Sequence, residues 1–456
     1  MLERLTGRLQ FLTRGPRDMP ARQQTLRATL DWSYDLLSED ERRLLARISV
    51  FPVGATLDGA AAVCLGGDEG TALDLLEGLA DASLIAPREQ DGVMRYRMLE
   101  TVRQYAAERL EALDGCDTRR RHAEWCLELV ERAEPELSGE RQVEWLEILE
   151  AEHDNARVAL DHLTAEGEQA LALRLAVALS RFWYVRGHLT EARRRLEEVL
   201  ATAMEDDPLL LRRARTAAAA IALLQGDYPA ATAFSEGALE SARAAGEPRF
   251  VANALSNLGA IVLAAGNHDR ATIALEEAVS LAREVGDERI AALAINNLGD
   301  LALTVGDFER AEPLFEESQA LLRARGDTAN IARSLFNLGA VKLMLGDRGA
   351  ADALFREGLR LAAETGDMED VAWCLEGLAS LAADAAEGER AATLLGAAQA
   401  LVAQMGAHFK PFERQLHEAT QEQAQRLCGK EAYVATLEAG ASLQLAATLE
   451  VALGSP

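Results

Sequence analysis

Apolar and small residues along the middle of the chain follow a pattern that repeats every 40 residues, from about Leu211 to Leu395. Three copies carry the same text, Asn-Leu-Gly, at 257–259, 297–299 and 337–339. Seven residues after each of these glycines comes a turn glycine, followed five positions later by an alanine, at Ala271, Ala311 and Ala351. A fixed period of this length predicts one supersecondary unit, a pair of helices A and B, copied along a solenoid.

The spacing within each copy identifies the unit. Twelve residues separate the helix-A glycine from the helix-B alanine, and a large apolar residue follows four later, at Leu275, Phe315 and Phe355. Small residues let two helices approach closely, and the large ones fill the space against the next repeat. This sequence pattern resembles the tetratricopeptide repeat (TPR) family, in its longer form of about 40 residues. The usual late proline is replaced by a glycine that we expect in the left-handed conformation, at Gly246, Gly286, Gly326 and Gly366.

The N-terminal part has a different pattern. Leu26, Leu30, Tyr34 and Leu37 share one face of a helix predicted over 22–37. A capping box at 38–41 opens a second helix that runs to Ile48, and shorter helices are predicted over 57–63 and 71–80. Strands over 83–88 and 93–98, joined through Asp91-Gly92, form one β-hairpin. Helices followed by such a hairpin predict a winged-helix domain.

The segments 26–37, 49–51 and 96–106 resemble the winged-helix arm of bacterial STAND regulators, which are signal-transduction ATPases of the NB-ARC type found in LuxR- and SARP-like transcriptional regulators. In that family the arm follows an ATPase domain and precedes a helical repeat sensor. The resemblance implies that an ATPase domain acts together with this arm. This sequence contains no phosphate-binding G-x-x-x-x-G-K-[ST] motif, so that domain would have to be supplied in cis or in trans. The family's Met-His-Asp motif is matched here by Met98-Leu99-Glu100, a departure that argues against nucleotide sensing by this arm.

We therefore expect an all-α protein, dominated by a TPR-like right-handed superhelix, with a small N-terminal winged-helix domain. The expected divisions are a stub of the ATPase helical subdomain with its linker, the winged helix, degenerate helical repeats, 40-residue repeats and a C-terminal helical cap. They span residues 1–21, 22–110, 119–205, 206–391 and 392–456.

Charge bears on the possible partners. The net charge is −27. A protein surface that binds nucleic acids or anionic membranes needs clustered Lys and Arg, so this charge argues against both partners. The candidate DNA-reading helix, 71–83, carries Asp74, Glu77 and Asp81 and no basic residue, while Arg88, Arg95 and Arg97 lie on the wing. This pattern favours an interdomain packing module over a DNA-binding regulator, the alternative that the winged helix leaves open.

Other chemistry is not indicated by the sequence. Five scattered cysteines, without a C-x-x-C pair, fit buried reduced thiols, and no apolar run approaches 18 residues, so we expect a cytoplasmic protein with no membrane span. Trp125, Trp145 and Trp183 lie on apolar helical faces and are expected in the core. The histidines show no metal-ligand spacing, and no nucleophile motif occurs. We expect no catalytic residue, no metal and no cofactor.

The concave face of the repeats is the expected binding site. In the TPR family the asparagine two residues before each helix-A glycine faces the groove, which would make Asn257, Asn297 and Asn337 a ladder that hydrogen-bonds an extended peptide. Neighbouring groove positions would supply specificity: Asn253, Ser256, Asn296, Asp300, Arg333, Phe336, Trp373 and Glu376. The competing interpretation is that the asparagines bond backbone between adjacent repeats and only stabilise the stack. The predicted function is a non-catalytic sensor or scaffold arm of a STAND-type regulator that binds a protein, a peptide or a small inducer.

Overall fold

The computed structural model describes residues 26–90, 92–138, 141–203, 207–405, 407–409 and 411–454. The predicted stub and linker over 1–21, and Asp91 of the predicted hairpin turn, lie outside these residues. The described chain divides into two compact units: one runs to Ala133 and includes Glu147–Leu175, and the other comprises Glu134–Leu146 and the chain from Ala176 onward.

The N-terminal elements follow the predicted order. They are α1 Leu26–Leu36, α2 Glu39–Arg47, a 3-10 turn Ile48–Val50, β1 Ala55–Thr56, α3 Leu57–Leu65, α4 Glu69–Asp81, β2 Ala86–Gln90, β3 Val93–Arg97, α5 Glu100–Glu111 and α6 Gly115–Ala133. Helix α2 begins at the predicted capping box, in which Ser38 and Glu41 each accept a hydrogen bond from the other's backbone N–H.

The sheet has one strand more than the sequence predicts. The antiparallel hairpin β2–β3 pairs Arg88 with Arg95, and β1 adds to the other edge of β3 by pairing Ala55 with Tyr96. A strand of two residues is too short to show an alternating pattern, so its pairing is decided only by its neighbours. Strand β2 also begins at Ala86 rather than Ser83, which instead adopts a positive φ of 58°.

The rest of the described chain is helical. A 3-10 turn, Glu134–Ser138, precedes α7 Gln142–Ala165, α8 Gln169–Arg186 and α9 Leu189–Thr202. The repeats follow as α10 Pro208–Leu224, α11 Tyr228–Ala245, α12 Pro248–Ala264, α13 His268–Glu284, α14 Glu288–Thr304, α15 Phe308–Arg325, α16 Thr328–Met344, α17 Arg348–Thr365, α18 Met368–Asp384 and α19 Gly388–Met405. The C-terminal helices are α20 Pro411–Cys428, α21 Lys430–Ala441 and α22 Leu445–Leu453. The even-numbered helices α10 to α18 are the A helices, and their starts are spaced by 40 residues as predicted.

The residues of the turns explain where the repeat helices begin and end. The glycine before each of the helices α11 to α18 has a left-handed φ, for example 70° at Gly286 and 78° at Gly306, a conformation that costs glycine nothing. Except at Glu247, the next residue caps the following helix with its side chain: Asp287 accepts from the N–H of Ile290, and Asp307 from that of Arg310. Gly-Asp therefore closes one helix and opens the next.

The small residues hold the A and B helices together. The helix-B alanines are fully buried, at Ala192, Ala231, Ala271, Ala311, Ala351 and Ala391. A Cβ on Gly299 would lie 2.6 Å from the ring of Phe315, and one on Gly339 would lie 2.7 Å from Phe355. The aromatic ring thus occupies the volume that the glycine of its own repeat leaves, whereas the large residues were expected against the next repeat. Phe355 does both, because a Cβ on Gly377 of the next repeat would lie 2.6 Å from its ring.

Buried side chains follow most of the sequence predictions. Trp125 and Trp183 are buried, whereas Trp145 is half-buried beneath the guanidinium of Arg141. All five cysteines are free, but the expectation of buried thiols was wrong for Cys116, which is exposed, and only partly right for Cys428. Among the described residues, none of the helices is long and apolar enough to cross a membrane.

Candidate ligand-binding groove

The A helices line a cavity of about 260 Å³, which we name the central cavity. Its polar wall includes Asn257 of α12, Asn296 and Asn297 of α14, Asn330 and Arg333 of α16, and Glu369 of α18. Its apolar wall includes Ala219, Leu223, Ile261 and Leu293. An apolar enclosure with a few convergent polar groups is the usual character of a ligand pocket.

A second cavity of about 120 Å³, the distal cavity, continues the first. The two share Leu223, Ala260, Asn297 and Arg333 in their walls. The distal cavity adds Asp300, Phe336 and Asn337 from the A helices. We name the two cavities together the groove.

The three asparagines of the predicted ladder all reach the groove. Asn257 and Asn297 line the central cavity, Asn297 also lines the distal cavity, and Asn337 lines the distal cavity alone. Asn297 has a second role, because its Nδ2 donates to the backbone O of Ser256 at 3.3 Å and to its Oγ at 3.2 Å. Asn297 therefore bonds the neighbouring repeat, as the competing interpretation expects, while also facing the cavity.

Two amide atoms in the groove have no partner. The Oδ1 of Asn296 and the Nδ2 of Asn337 are buried and make no hydrogen bond among the described residues, and the two side chains are 6% and 5% exposed. An unsatisfied buried polar atom costs about 1–3 kcal/mol. A ligand with both a donor and an acceptor would satisfy these amides once each side chain turns its unpartnered atom toward the cavity.

An ion cluster forms the floor where α16 faces α18. The Arg333 guanidinium donates to Asp370 Oδ1 at 3.0 Å and to Glu369 Oε2 at 2.9 Å, and the Tyr184 hydroxyl donates to Glu369. The two carboxylates are 2% exposed, whereas the Arg333 side chain is 31% exposed. Burial raises the pKa of Asp370 to about 7 against the opposing charge of Arg333, and burial with the nearby Glu369 raises that of Tyr184.

Two predicted residues lie behind the groove instead of in its wall. Trp373 is buried, with its Nε1 donating to Glu369 Oε1 at 3.4 Å and its ring centroid 5.3 Å from that of Phe409. Glu376 is buried and accepts from His417 Nδ1 at 2.9 Å. C-terminal residues cover this part of α18, so neither side chain lines the two cavities. Asn253 is half-buried and also lines neither cavity.

The contribution of the C-terminal residues to the groove was not predicted. The backbone N–H of His408 donates to the carbonyl of Leu224 at the end of α10, at 2.7 Å. Phe412 packs against the apolar cluster of Leu303, Phe315, Leu338 and Val341, and with Glu413 it lines the distal cavity. Contacts between residues so far apart in sequence have no period, so a repeat pattern cannot predict them.

The surface of the winged-helix domain is acidic where DNA would be read. Asp74, Glu77 and Asp81 on α4 are exposed. Of the basic residues on the wing, Arg95 is 4% exposed and forms an ion pair with Glu152, with Nη1 donating to the Gly54 carbonyl at 3.0 Å. Arg88 is exposed, and Arg97 is half-buried against Gln90. Arg95 is therefore buried in an ion pair and cannot contact a DNA phosphate.

Comparisons with known families identify both modules. Residues 37–111 match the family described as a winged helix-turn-helix domain, and residues 210–284 and 289–364 match the tetratricopeptide repeat family. Residues 152–212 match the family described as anaphase-promoting complex subunit 5. The first two matches confirm the winged helix followed by tetratricopeptide repeats.

Relatives in Mycobacterium tuberculosis and Mycobacterium bovis, provisionally named HTH-type transcriptional regulators, are 37% identical to this chain over 184 residues. The matched stretch is 40% of this chain and 21% of each relative, so the chain spans about a fifth of the length of the curated relatives it matches.

Two solved structures resemble parts of the chain, and the first of them shares the fold of the repeats. A Rap protein complexed with Competence and Sporulation Factor aligns with 75% of this chain and 91% of its own length, at 15% identity and a TM-score of 0.51. A STAND protein with a tetratricopeptide repeat sensor from Pyrococcus horikoshii aligns with 93% of this chain and 68% of its own length, at 14% identity and a TM-score of 0.44.

Proposed function

We propose that this pairing of a winged helix-turn-helix domain with tetratricopeptide repeats is the non-catalytic sensor arm of a cytoplasmic STAND-type regulator, and that its groove binds an extended peptide segment. The observation that carries the proposal is that Asn296 and Asn337, which line the groove, each hold an amide atom with no hydrogen-bond partner among the described residues. A peptide backbone presents a donor and an acceptor at every residue, and its side chains can fill the apolar wall.

The regulator assignment is supported by three features. The sequence resembles the STAND winged-helix arm, the two modules occur in the family's order, and the mycobacterial relatives bear the names of transcriptional regulators. The ATPase domain that such a regulator needs would be supplied in cis or in trans. The extended segment that the groove binds could be a free peptide or part of a partner protein.

DNA reading by the winged helix is the second candidate, favoured by the match at 37–111. The three exposed carboxylates of α4 oppose it, because each would face phosphates of the same charge, and Arg95 is buried in an ion pair. We therefore assign the ligand-binding role to the repeats and a packing role to the winged helix.

The test is a selection of random dodecapeptides, displayed on phage, against the whole chain. The affinity of a selected peptide is then measured by fluorescence anisotropy. Asn257→Ala removes a groove amide and is expected to weaken binding about fivefold or more, the loss of one or more hydrogen bonds. Asn253→Ala is the matched control, since it alters the same residue type on α12 but lines neither cavity. Failure to select any peptide, or equal losses in both variants, would refute the proposal.

A further inference from the structure

A third cavity, of about 310 Å³, lies between α8 and α10 and is lined by three arginines, Arg181, Arg212 and Arg213. We name it the arginine pocket. It shares Tyr184, Thr216 and Ala220 with the central cavity, so it continues the groove at its N-terminal end. Glu134 is the one carboxylate in its lining, where it forms an ion pair with Arg213.

Two of the three guanidiniums have no anionic partner. Among the described residues, the Nε atoms of Arg181 and Arg212 are buried without a hydrogen bond, and neither side chain forms an ion pair. Each guanidinium instead lies over an aromatic ring: Arg212 is 4.2 Å from the centroid of Phe250, and Arg181 is 5.4 Å from that of Tyr184. Ring contacts of this kind hold a guanidinium in place while leaving its N–H groups available.

Two arginines without an anionic partner are unexpected in a chain that has an excess of acidic residues. Acidic residues outnumber basic ones by 74 to 47, and many arginines elsewhere pair with carboxylates, as Arg174 does with Glu131 and Arg193 with Asp227. Burial, together with the neighbouring charge of Arg213, lowers the pKa of Arg212. An anion in the pocket would remove the repulsion between the arginines and supply the missing acceptors.

We infer that the arginine pocket binds an oxyanion carried by the groove ligand, either a carboxylate or a phosphate group. The inference rests on the proposed function and deepens it, because it sets which end of the ligand lies over α8 and α10. Planar guanidiniums match both anions through paired N–H donors, which a lysine cannot provide.

Isothermal titration of the whole chain with glutarate and, separately, with inorganic phosphate tests the inference without any peptide. We expect saturable binding of at least one of the two anions, and the preferred one identifies a carboxylate or a phosphate source. Arg212→Gln and Arg181→Gln should each weaken binding about tenfold or more, the loss of hydrogen bonds to a charged group. Arg212→Lys keeps the charge but loses the paired donors, so a smaller loss is expected from this variant.

Arg249→Gln is the control, because it alters an exposed arginine that pairs with Asp287 and lines none of the three cavities. Melting curves of all variants separate lost binding from lost folding. The inference is wrong if neither anion binds the wild type, or if the folded Arg181 and Arg212 variants bind as well as the Arg249 variant. Anion binding without selectable peptides would overturn the proposed function alone, and the reverse result would overturn this inference alone.

Discussion

The three repeats that carry Asn-Leu-Gly each have one glycine facing one large side chain. The ring of Phe315 occupies the volume in which a Cβ of Gly299 would lie, at 2.6 Å. Gly299→Leu should therefore lower the free energy of unfolding by about 1–3 kcal/mol, the usual cost of overpacking a core. Thermal melts measure the effect, with Val305→Leu at an exposed position as a control that should stay within about 0.5 kcal/mol of wild type. An unchanged melting temperature for Gly299→Leu would mean that the two helices do not meet at this glycine.

The buried Asp370 makes stability depend on pH. Its folded pKa of about 7 lies above the ordinary value of 3.8, because burial disfavours the ionised form. The folded state then holds the proton more tightly than the unfolded state, so this group's contribution to stability falls as pH rises from about 4 to 7 and is constant above that range.

Asp370→Asn removes the titration while keeping a polar side chain of the same size. Relative to this variant, the wild type should lose stability with rising pH by at most about 1.4 kcal/mol per unit between these two pKa values. Chemical denaturation at a series of pH values measures the difference. Parallel pH curves for wild type and Asp370→Asn would contradict the assignment.

At the scale of elements, helix α4 decides whether the winged helix reads DNA. Its exposed Asp74, Glu77 and Asp81 would repel phosphates. We expect no salt-dependent binding of a labelled duplex in fluorescence anisotropy at about 0.15 M ionic strength.

A variant with lysine at all three α4 positions is the matched control, because it gives the same helix the opposite charge and should bind duplex more tightly. Wild-type binding that weakens steeply with added salt, and that is lost on Arg88→Ala, would overturn this prediction.

The repeat helices were predictable because their signals are local. The glycine after each helix and the aspartate that caps the next, as at Gly286-Asp287, lie side by side in the sequence and fix the boundary there. Strand β1 was missed because its two residues acquire their structure only by pairing with β3. The predicted asparagines reach the groove for a similar local reason, since their 40-residue spacing equals that of the A helices.

The remaining parts of the site depend on contacts that are distant in sequence. Trp373 and Glu376 lie on the expected A helix, yet Phe409 and His417 from the C-terminal region cover them. Tyr184 joins the central cavity from α8, outside the regular repeats. A period describes how each repeat meets its neighbour, whereas these contacts join repeats to segments outside the period.

At the scale of the whole molecule, we place recognition on the surface of the repeats that the A helices line. The B helices carry exposed apolar side chains such as Ile273, but exposed single residues of this kind are common on protein surfaces. The groove differs because apolar walls, unpartnered amides and a partly exposed arginine converge there. The central claim therefore concerns the location of the ligand, because we propose that a bound peptide lies along the A helices.

Site-specific photo-crosslinking tests that claim most directly. A p-benzoylphenylalanine at Leu293, in the wall of the central cavity, should crosslink to a phage-selected peptide, and the same residue at Ile273 on α13 should not. Excess unlabelled peptide should abolish the crosslink at 293. Crosslinking at 273 with none at 293, in variants that melt like the wild type, would contradict the account.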